Sequence, residues 1–285
     1  MAMTRCISDM KLVGEGRTAE IYHWDEERVL RLYRCGAHRT WVLHEFTAFQ
    51  AVNSSGIPSP MVYPDVGDEG LVEVDGRIGF VMDRIDGVSM LRELATKPWK
   101  MPALARLLAE LHADIHQRVG DQLPSQRSRF RRILESLRQE LGSSVIDAAC
   151  AVLDRLPDGN AICHGDFHPD NVILTPNGPV VIDWGPASCG RAAADVAWTA
   201  FLFRHGGVPP GTAAWERFLL GVIRRIAFAI YRRGLGRCSS IDWREVEAWG
   251  PVIAAVRYRD GIREEQPLLR AMLDRAFGSG RGTGL

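Results

Sequence analysis

The hydrophobic period of this chain changes once, near residue 86, and that change limits the possible folds more than any other feature. Ahead of it, short apolar runs alternate with turn signals. Leu12-Val13 leads into a Gly-rich turn over residues 14–19, and Val29-Leu30-Arg31-Leu32-Tyr33 follows the acidic turn at residues 25–27. Residues 71–82 fold back on themselves around Asp75-Gly76, a dipeptide that favours two-residue hairpin loops. One helix interrupts the strands, over residues 40–52, with Trp41, Glu45, Ala48, Phe49 and Val52 at helical spacing. From Leu91 onward the period is that of helices. Leu104, Leu107, Leu108, Leu111 and Ile115 make one apolar face, and Phe130, Leu134, Leu137 and Leu141 make another. Further helices are expected over residues 145–156, 195–203, 215–233, 243–258 and 267–277. The expected class is α+β: a small antiparallel sheet with one helix in residues 1–85, and a larger, mostly helical part in residues 86–285.

Charge excludes some functions. Lys plus Arg and Asp plus Glu are both 35, so net charge is zero, which argues against bulk attraction to nucleic acid or an anionic membrane. No apolar run approaches the ~18 residues of a membrane span. The start of the chain has no apolar signal region. Six cysteines carry no C-x-x-C pair, a pattern of reduced thiols in a cytoplasmic protein rather than of zinc or disulfides.

The segment with most chemistry runs His164-Gly165-Asp166-Phe167-His168-Pro169-Asp170-Asn171. Behind it, two β-branched runs flank Pro176-Asn177-Gly178-Pro179 and end at Asp183-Trp184-Gly185. A turn centred on Asn177 and Gly178 would set Val172 opposite Asp183. Asn171 and Asp183 would then share the open end of the hairpin, next to Asp166. Singly, each of these residues suits a turn. Together, two carboxylates and an amide oxygen are an arrangement for a divalent metal and phosphate.

These motifs resemble the catalytic loop and metal-binding Asp of the aminoglycoside phosphotransferase and choline-kinase-like branch of the protein-kinase-like fold. Protein kinases carry His-Arg-Asp-x-x-x-x-Asn and Asp-Phe-Gly at the matching places. The resemblance implies a two-lobed fold, Mg²⁺, and ATP or GTP as co-substrate. It implies that Asp166 orients the acceptor hydroxyl and takes its proton, and that Asn171 and Asp183 hold the metal. The Gly14-Glu15-Gly16-Arg17-Thr18-Ala19 segment, with Gly14, Gly16 and Thr18, would cover the phosphates. Ala19 stands where the third glycine of that pattern falls. Arg31 stands where the pattern has a strand Lys, with Glu45 of the first helix as its expected partner. The connection after Phe80 would grip the base through Met82, the Asp83 carbonyl and the Ile85 N–H. His164 would buttress the loop, and Asp195 would anchor it from the following helix.

The short run from Asp183 to Asp195 leaves no room for a peptide-docking platform, so the resemblance points to a small-molecule hydroxyl acceptor. No protein partner is evident. The basic run Arg127, Arg129, Arg131, Arg132 reads as a solvated face, with a partner or anionic-substrate patch as the alternative. Glu245, Glu247, Asp260, Glu264 and Glu265 likewise read as a solvated face, or as a receiver for a cationic substrate. Two other functions compete: a nucleotide-binding pseudokinase scaffold, suggested by Arg31 and Ala19, and a metal-dependent phosphohydrolase, which needs more ligands than this cluster offers.

Overall fold

The computed structural model describes residues 6–16, 18–207 and 213–278. Arg17 of the glycine turn and the Gly-rich tail beyond Gly278 lie outside them. Strands β1 (Leu12–Glu15), β2 (Ala19–His23) and β3 (Arg28–Tyr33) are followed by helix α1 (Arg39–Ser54), then β4 (Val72–Val74), β5 (Arg77–Asp83) and the short β6 (Val88–Ser89). Next come α2 (Met90–Thr96), α3 (Met101–His116), α4 (Gln126–Ser136), α5 (Arg138–Leu141) and α6 (Ser143–Arg155). Strands β7 (Ala161–Cys163), β8 (Val172–Thr175), β9 (Gly178–Val181) and β10 (Ser188–Gly190) precede α7 (Ala192–His205), α8 (Ala214–Cys238), α9 (Trp243–Tyr258) and α10 (Gln266–Phe277). The expected switch from strands to helices is present. The single helix expected around Phe130 to Leu141 is broken at Leu137, whose ψ of 1° lies off the helical value. No helix among the described residues is long and apolar enough to cross a membrane.

By packing, the chain divides into two compact units. The first runs to Glu93 and takes in Pro169–Ala187; the second holds Leu94–His168 and the chain from Ser188 on. One cut near residue 86 misses this excursion. Its physical cause is strand pairing. Ser89 of β6 sits opposite Ile173 of β8, and β8 pairs with β9, so a three-stranded sheet ties residues 172–181 to the first unit.

In the first unit an antiparallel sheet runs β1-β2-β3-β5-β4. Its β4–β5 hairpin turns at Asp75 and Gly76, both left-handed at φ 49° and 73°, as an Asp-Gly turn requires. Leu30, Leu32, Phe80 and Val81 are fully buried. Helix α1 covers one face by setting Phe46 and Phe49 against Phe80, with ring centroids 5.6 and 5.7 Å apart. Gly70 is obligatory there: at φ 79° a Cβ would stand 2.2 Å from the Phe46 ring. In the second unit, α9 is the central helix. Trp249, Val252, Ile253 and Ala254 are buried, and Phe130 of α4 meets the Trp249 indole at 6.2 Å.

Candidate active site

The β8–β9 hairpin forms, but its register corrects the expected one. Thr175 faces Gly178 and Val172 faces Val181, so Pro176 and Asn177 make the turn and Asp183 lies beyond the strand. The reason is local. Proline's fixed φ suits the first corner of a turn, and Gly178 takes φ 120° behind it. Thr175 Oγ1 locks the turn by accepting from Asn177 N at 3.1 Å and donating to the Gly178 carbonyl at 2.7 Å. At the open end, Ile182 N donates to the Asn171 carbonyl at 3.0 Å, so Asn171 and Asp183 do share that end. Asn171 is buried, and the Asp183 side chain is 41% exposed. Asp183 has φ 64°, a left-handed conformation that costs a non-glycine residue about 1–3 kcal/mol and concentrates at functional sites.

Arg31 links this end to the sheet. Its Nη2 lies 2.9 Å from Glu45 Oε1 and 3.3 Å from Asp183 Oδ1. Burial works against the Arg31 charge, but Glu45, Tyr33 and Asp183 outweigh it and its pKa ends raised. Burial also pushes Glu45 up, against the Arg31 charge that favours its carboxylate. The expected pairing of Arg31 with Glu45 is therefore present, and Glu45 is 4% exposed. Gly185 sits against it, where an ideal Cβ would be 2.9 Å from Glu45 Oε2. Gly185→Ala is expected to push the buried carboxylate off Arg31 and to lower unfolding free energy by about 1–3 kcal/mol. Chemical denaturation checks this, and an unchanged midpoint would contradict it.

The glycine turn is closed by a hydrogen bond from Gly16 N to the Ala19 carbonyl at 2.8 Å, and Arg34 N donates to the Thr18 carbonyl at 3.0 Å. A Cβ on Gly16 would stand 3.2 Å from the Ala19 oxygen, whereas one on Gly14 would make only ordinary contact at 3.8 Å. Packing therefore favours glycine at 16 and not at 14. Near the end of β5, Met82 pairs with Val29 of β3. The Asp83 carboxylate accepts from Met61 N at 3.0 Å and Tyr63 Oη at 2.7 Å, a side-chain role the sequence did not suggest. Ile85 N donates to no carbonyl among the described residues.

In the second unit Asp166 is held from two sides. Trp198 Nε1 donates to Oδ1 at 2.9 Å, and His168 Nε2 lies 3.6 Å from Oδ2. Burial raises the Asp166 pKa, but His168 and the Trp198 hydrogen bond outweigh it and bring it down to about 2. The carboxylate is ionised at neutral pH and its side chain is 28% exposed. Asp166 N donates to His164 Nδ1 at 3.2 Å, and His164 is fully buried.

Below the loop lies Asp195, 1% exposed in the first turn of α7. Its Oδ2 accepts from His164 N and its Oδ1 from Gly165 N, both at 2.7 Å. His112 and His116 of α3 bring their Nε2 atoms to Oδ2, each at 3.1 Å. The three ligand-type atoms come within 4.8 Å of one another, close enough for a metal. Hydrogen bonds account for them instead. An ionised carboxylate only accepts, so each Nε2 is the protonated nitrogen, and His112 Nδ1 accepts from Tyr231 Oη at 2.7 Å. Burial, then the His116 charge, lowers the His112 pKa to about 4, so the ring is neutral at pH 7.

That shift predicts a pH dependence of stability. A buried neutral ring binds its proton more weakly than the unfolded one, so its contribution is complete above pH 6.5 and is lost as pH falls toward 4. The loss is about 3 kcal/mol, and His112→Gln should flatten the slope in that window. Equal slopes in wild type and variant would contradict it.

Sequence reasoning named Asp195 but left out Trp198 and His112. Trp198 follows Asp195 by one helical turn, which puts both on the face toward the loop. His112 lay beside an apolar stripe, where a packing role is the usual one. Of the acidic C-terminal residues, Glu245 pairs bidentately with Arg191 at 2.6 and 2.8 Å. Glu265 and Asp260 are both taken by Arg257, at 2.8 and 3.0 Å.

The model of the phosphotransferase enzyme family matches residues 9–232, and the chain belongs to that family. It therefore has the protein-kinase-like fold. Solved structures agree. A thermostable mutant of aminoglycoside phosphotransferase APH(4)-Ia, in ternary complex with ADP and hygromycin B, is 18% identical, with 97% of this chain and 95% of that chain covered and a TM-score of 0.61. Amicoumacin kinase hAmiN, in complex with AMP-PNP, Ca²⁺ and Ami, is 11% identical over 94% and 89%, with a TM-score of 0.64. A choline/ethanolamine kinase family protein from Mesorhizobium loti is 16% identical over 94% and 85%, with a TM-score of 0.54. No curated protein sequence matches the chain.

Proposed function

We propose that the chain moves the γ-phosphoryl group of ATP or GTP, with Mg²⁺, to a hydroxyl of a small molecule. The observation that carries this reading is Asp166: an ionised, partly exposed carboxylate on a loop whose backbone N–H groups are clamped by the buried Asp195. With its pKa near 2, Asp166 is a weak base, so its main work is to accept the hydroxyl's hydrogen bond and aim the oxygen. Phosphoryl transfer asks for little more, because bond breaking to the leaving group runs ahead of bond making.

The residues of the first unit suit the cofactors. Asn171 and Asp183 offer the oxygen ligands that Mg²⁺ prefers. Bound there, the ion would neutralise charge developing on the phosphates. Gly14, which packing does not require, would let phosphate oxygens approach the backbone with no Cβ in the way; Gly16 and Thr18 complete that turn. Arg31, fixed by Glu45, supplies positive charge beside Asp183. Met82, the Asp83 carbonyl and the Ile85 N–H are the candidates for the base. Arg31 forms with Glu45 the ion pair expected of the strand Lys, which supports an active phosphotransferase over a scaffold.

The test is thermal unfolding with Mg-ATP and with Mg-GTP. At ligand about 100-fold above its dissociation constant, linkage should add about 2.7 kcal/mol. Absence of a shift with either nucleotide would contradict the reading.

A further inference from the structure

Near the end of α9, Arg257 is held by two carboxylates. Its Nε and Nη2 donate to the two Glu265 oxygens at 2.8 and 3.1 Å, and its Nη1 to Asp260 at 3.0 Å. All three guanidinium nitrogens are engaged, so the planar group is fixed in direction as well as in place. The Arg257 side chain is 11% exposed, and that of Glu265, beside the start of α10, is 3% exposed. The guanidinium carbon lies over the Trp198 ring, 5.6 Å from its centroid, within the range where a cation is attracted to the face of an indole. At the edge of that ring, Nε1–H donates to Asp166 Oδ1 at 2.9 Å. A line of contacts within the second unit therefore runs from Glu265 through Arg257 and Trp198 to the loop carboxylate.

Stability alone does not account for this line. A buried ion pair adds little to folding, because taking the charges out of water offsets their attraction. Burial works against the Arg257 charge, and Glu265 and Asp260 outweigh it, so the cation persists. What the arrangement does fix is direction. The last torsion of a tryptophan side chain has broad wells, so packing on the ring decides where its N–H points. Arg257 packs on that ring, and the N–H points at the carboxylate that would meet the acceptor hydroxyl.

We infer that Arg257, held by Glu265 and Asp260, is a positioning residue for phosphoryl transfer: it fixes the Trp198 indole, which in turn aims the Asp166 carboxylate. The inference rests on the phosphotransferase reading above and adds to it a residue that acts through Trp198 and touches no reacting atom. A misplaced Asp166 slows the chemical step, so the effect belongs in kcat and not in acceptor KM.

The experiment joins spectroscopy to a mutant cycle. The chain has eight tryptophans, and ¹⁵N labelling of their indoles gives one resonance for each, with that of Trp198 identified by its loss in Trp198→Phe. Arg257→Lys keeps the charge and loses the fork, and should move the Trp198 resonance. Glu265→Gln, a milder loosening of the same arginine, should move it in the same sense. Arg191→Lys, which loosens the bidentate Arg191–Glu245 pair at the starts of α7 and α9, should leave it in place. ADP release is then followed over glucose, glycerol, choline, glucosamine and an aminoglycoside, and the cycle uses the acceptor turned over fastest. Arg257→Lys should lower kcat by about 10- to 100-fold with acceptor KM unchanged. Made in the Trp198→Phe background, it should change kcat by less than about twofold.

A Trp198 resonance unmoved by both Arg257→Lys and Glu265→Gln overturns the inference and leaves the phosphotransferase reading standing. So does a fall in kcat equal in the two backgrounds, or a rise in acceptor KM at constant kcat. Turnover of no acceptor, or turnover that survives Asp166→Asn, overturns both.

Discussion

Replacing Asp166 by Asn is expected to lower acceptor-dependent ADP formation by about 10²–10⁴-fold while the thermal shift with Mg-ATP persists. The side chain keeps its size, and its amide oxygen can still accept from Trp198 Nε1. What is lost is the negative oxygen that receives the acceptor's hydroxyl proton. Because His168 and Trp198 hold the Asp166 pKa near 2, wild-type activity should lose nothing to protonation of Asp166 until the pH falls below about 4. An acid limb centred near neutrality and absent in Asp166→Asn would contradict that assignment.

Asp195→Ala should have the largest effect on stability, lowering unfolding free energy by about 3–5 kcal/mol, as when one partner of a buried ionic network is removed. The carboxylate is the acceptor for two loop N–H groups and two imidazoles, and it is 1% exposed. Its removal leaves those donors without a partner in a dry site. Asp195→Asn, which keeps one acceptor oxygen, should cost less than Asp195→Ala. Denaturant midpoints of the two variants check the order; equal midpoints would contradict it. Asp195 sits under the Asp166 loop, so kcat should fall in both.

The sequence reveals element types and the order of site residues because both rest on local rules. Apolar spacing separates the strands from the helices, and Asp75-Gly76 sets its own hairpin. The β8–β9 hairpin shows where such rules fail: Asn177-Gly178 competes with Pro176 for the corner, and proline's ring wins, moving the register. Helix α4–α5 fails similarly, since an apolar spacing that continues through Leu137 says nothing of a backbone that breaks there. What lies furthest from the sequence is long-range polar pairing. His112 is far from Asp195 along the chain, and only folding shows that the two meet. Arg129 and Arg127 look alike in sequence, yet one is satisfied by carbonyls and a carboxylate while the other has no partner among the described residues. The packing of residues 169–187 with the first unit is likewise a matter of strand pairing across a long separation, through Ser89 and Ile173.

The most direct measurement is the mass of the acceptor after incubation with Mg-ATP and enzyme, using whichever compound releases most ADP in a screen of small hydroxylated acceptors. A product heavier by one phosphoryl group, formed by wild type and lost in Asp166→Asn, is the result expected. Release of ADP with the acceptor unchanged, or phosphorylation that persists in Asp166→Asn, would contradict the account.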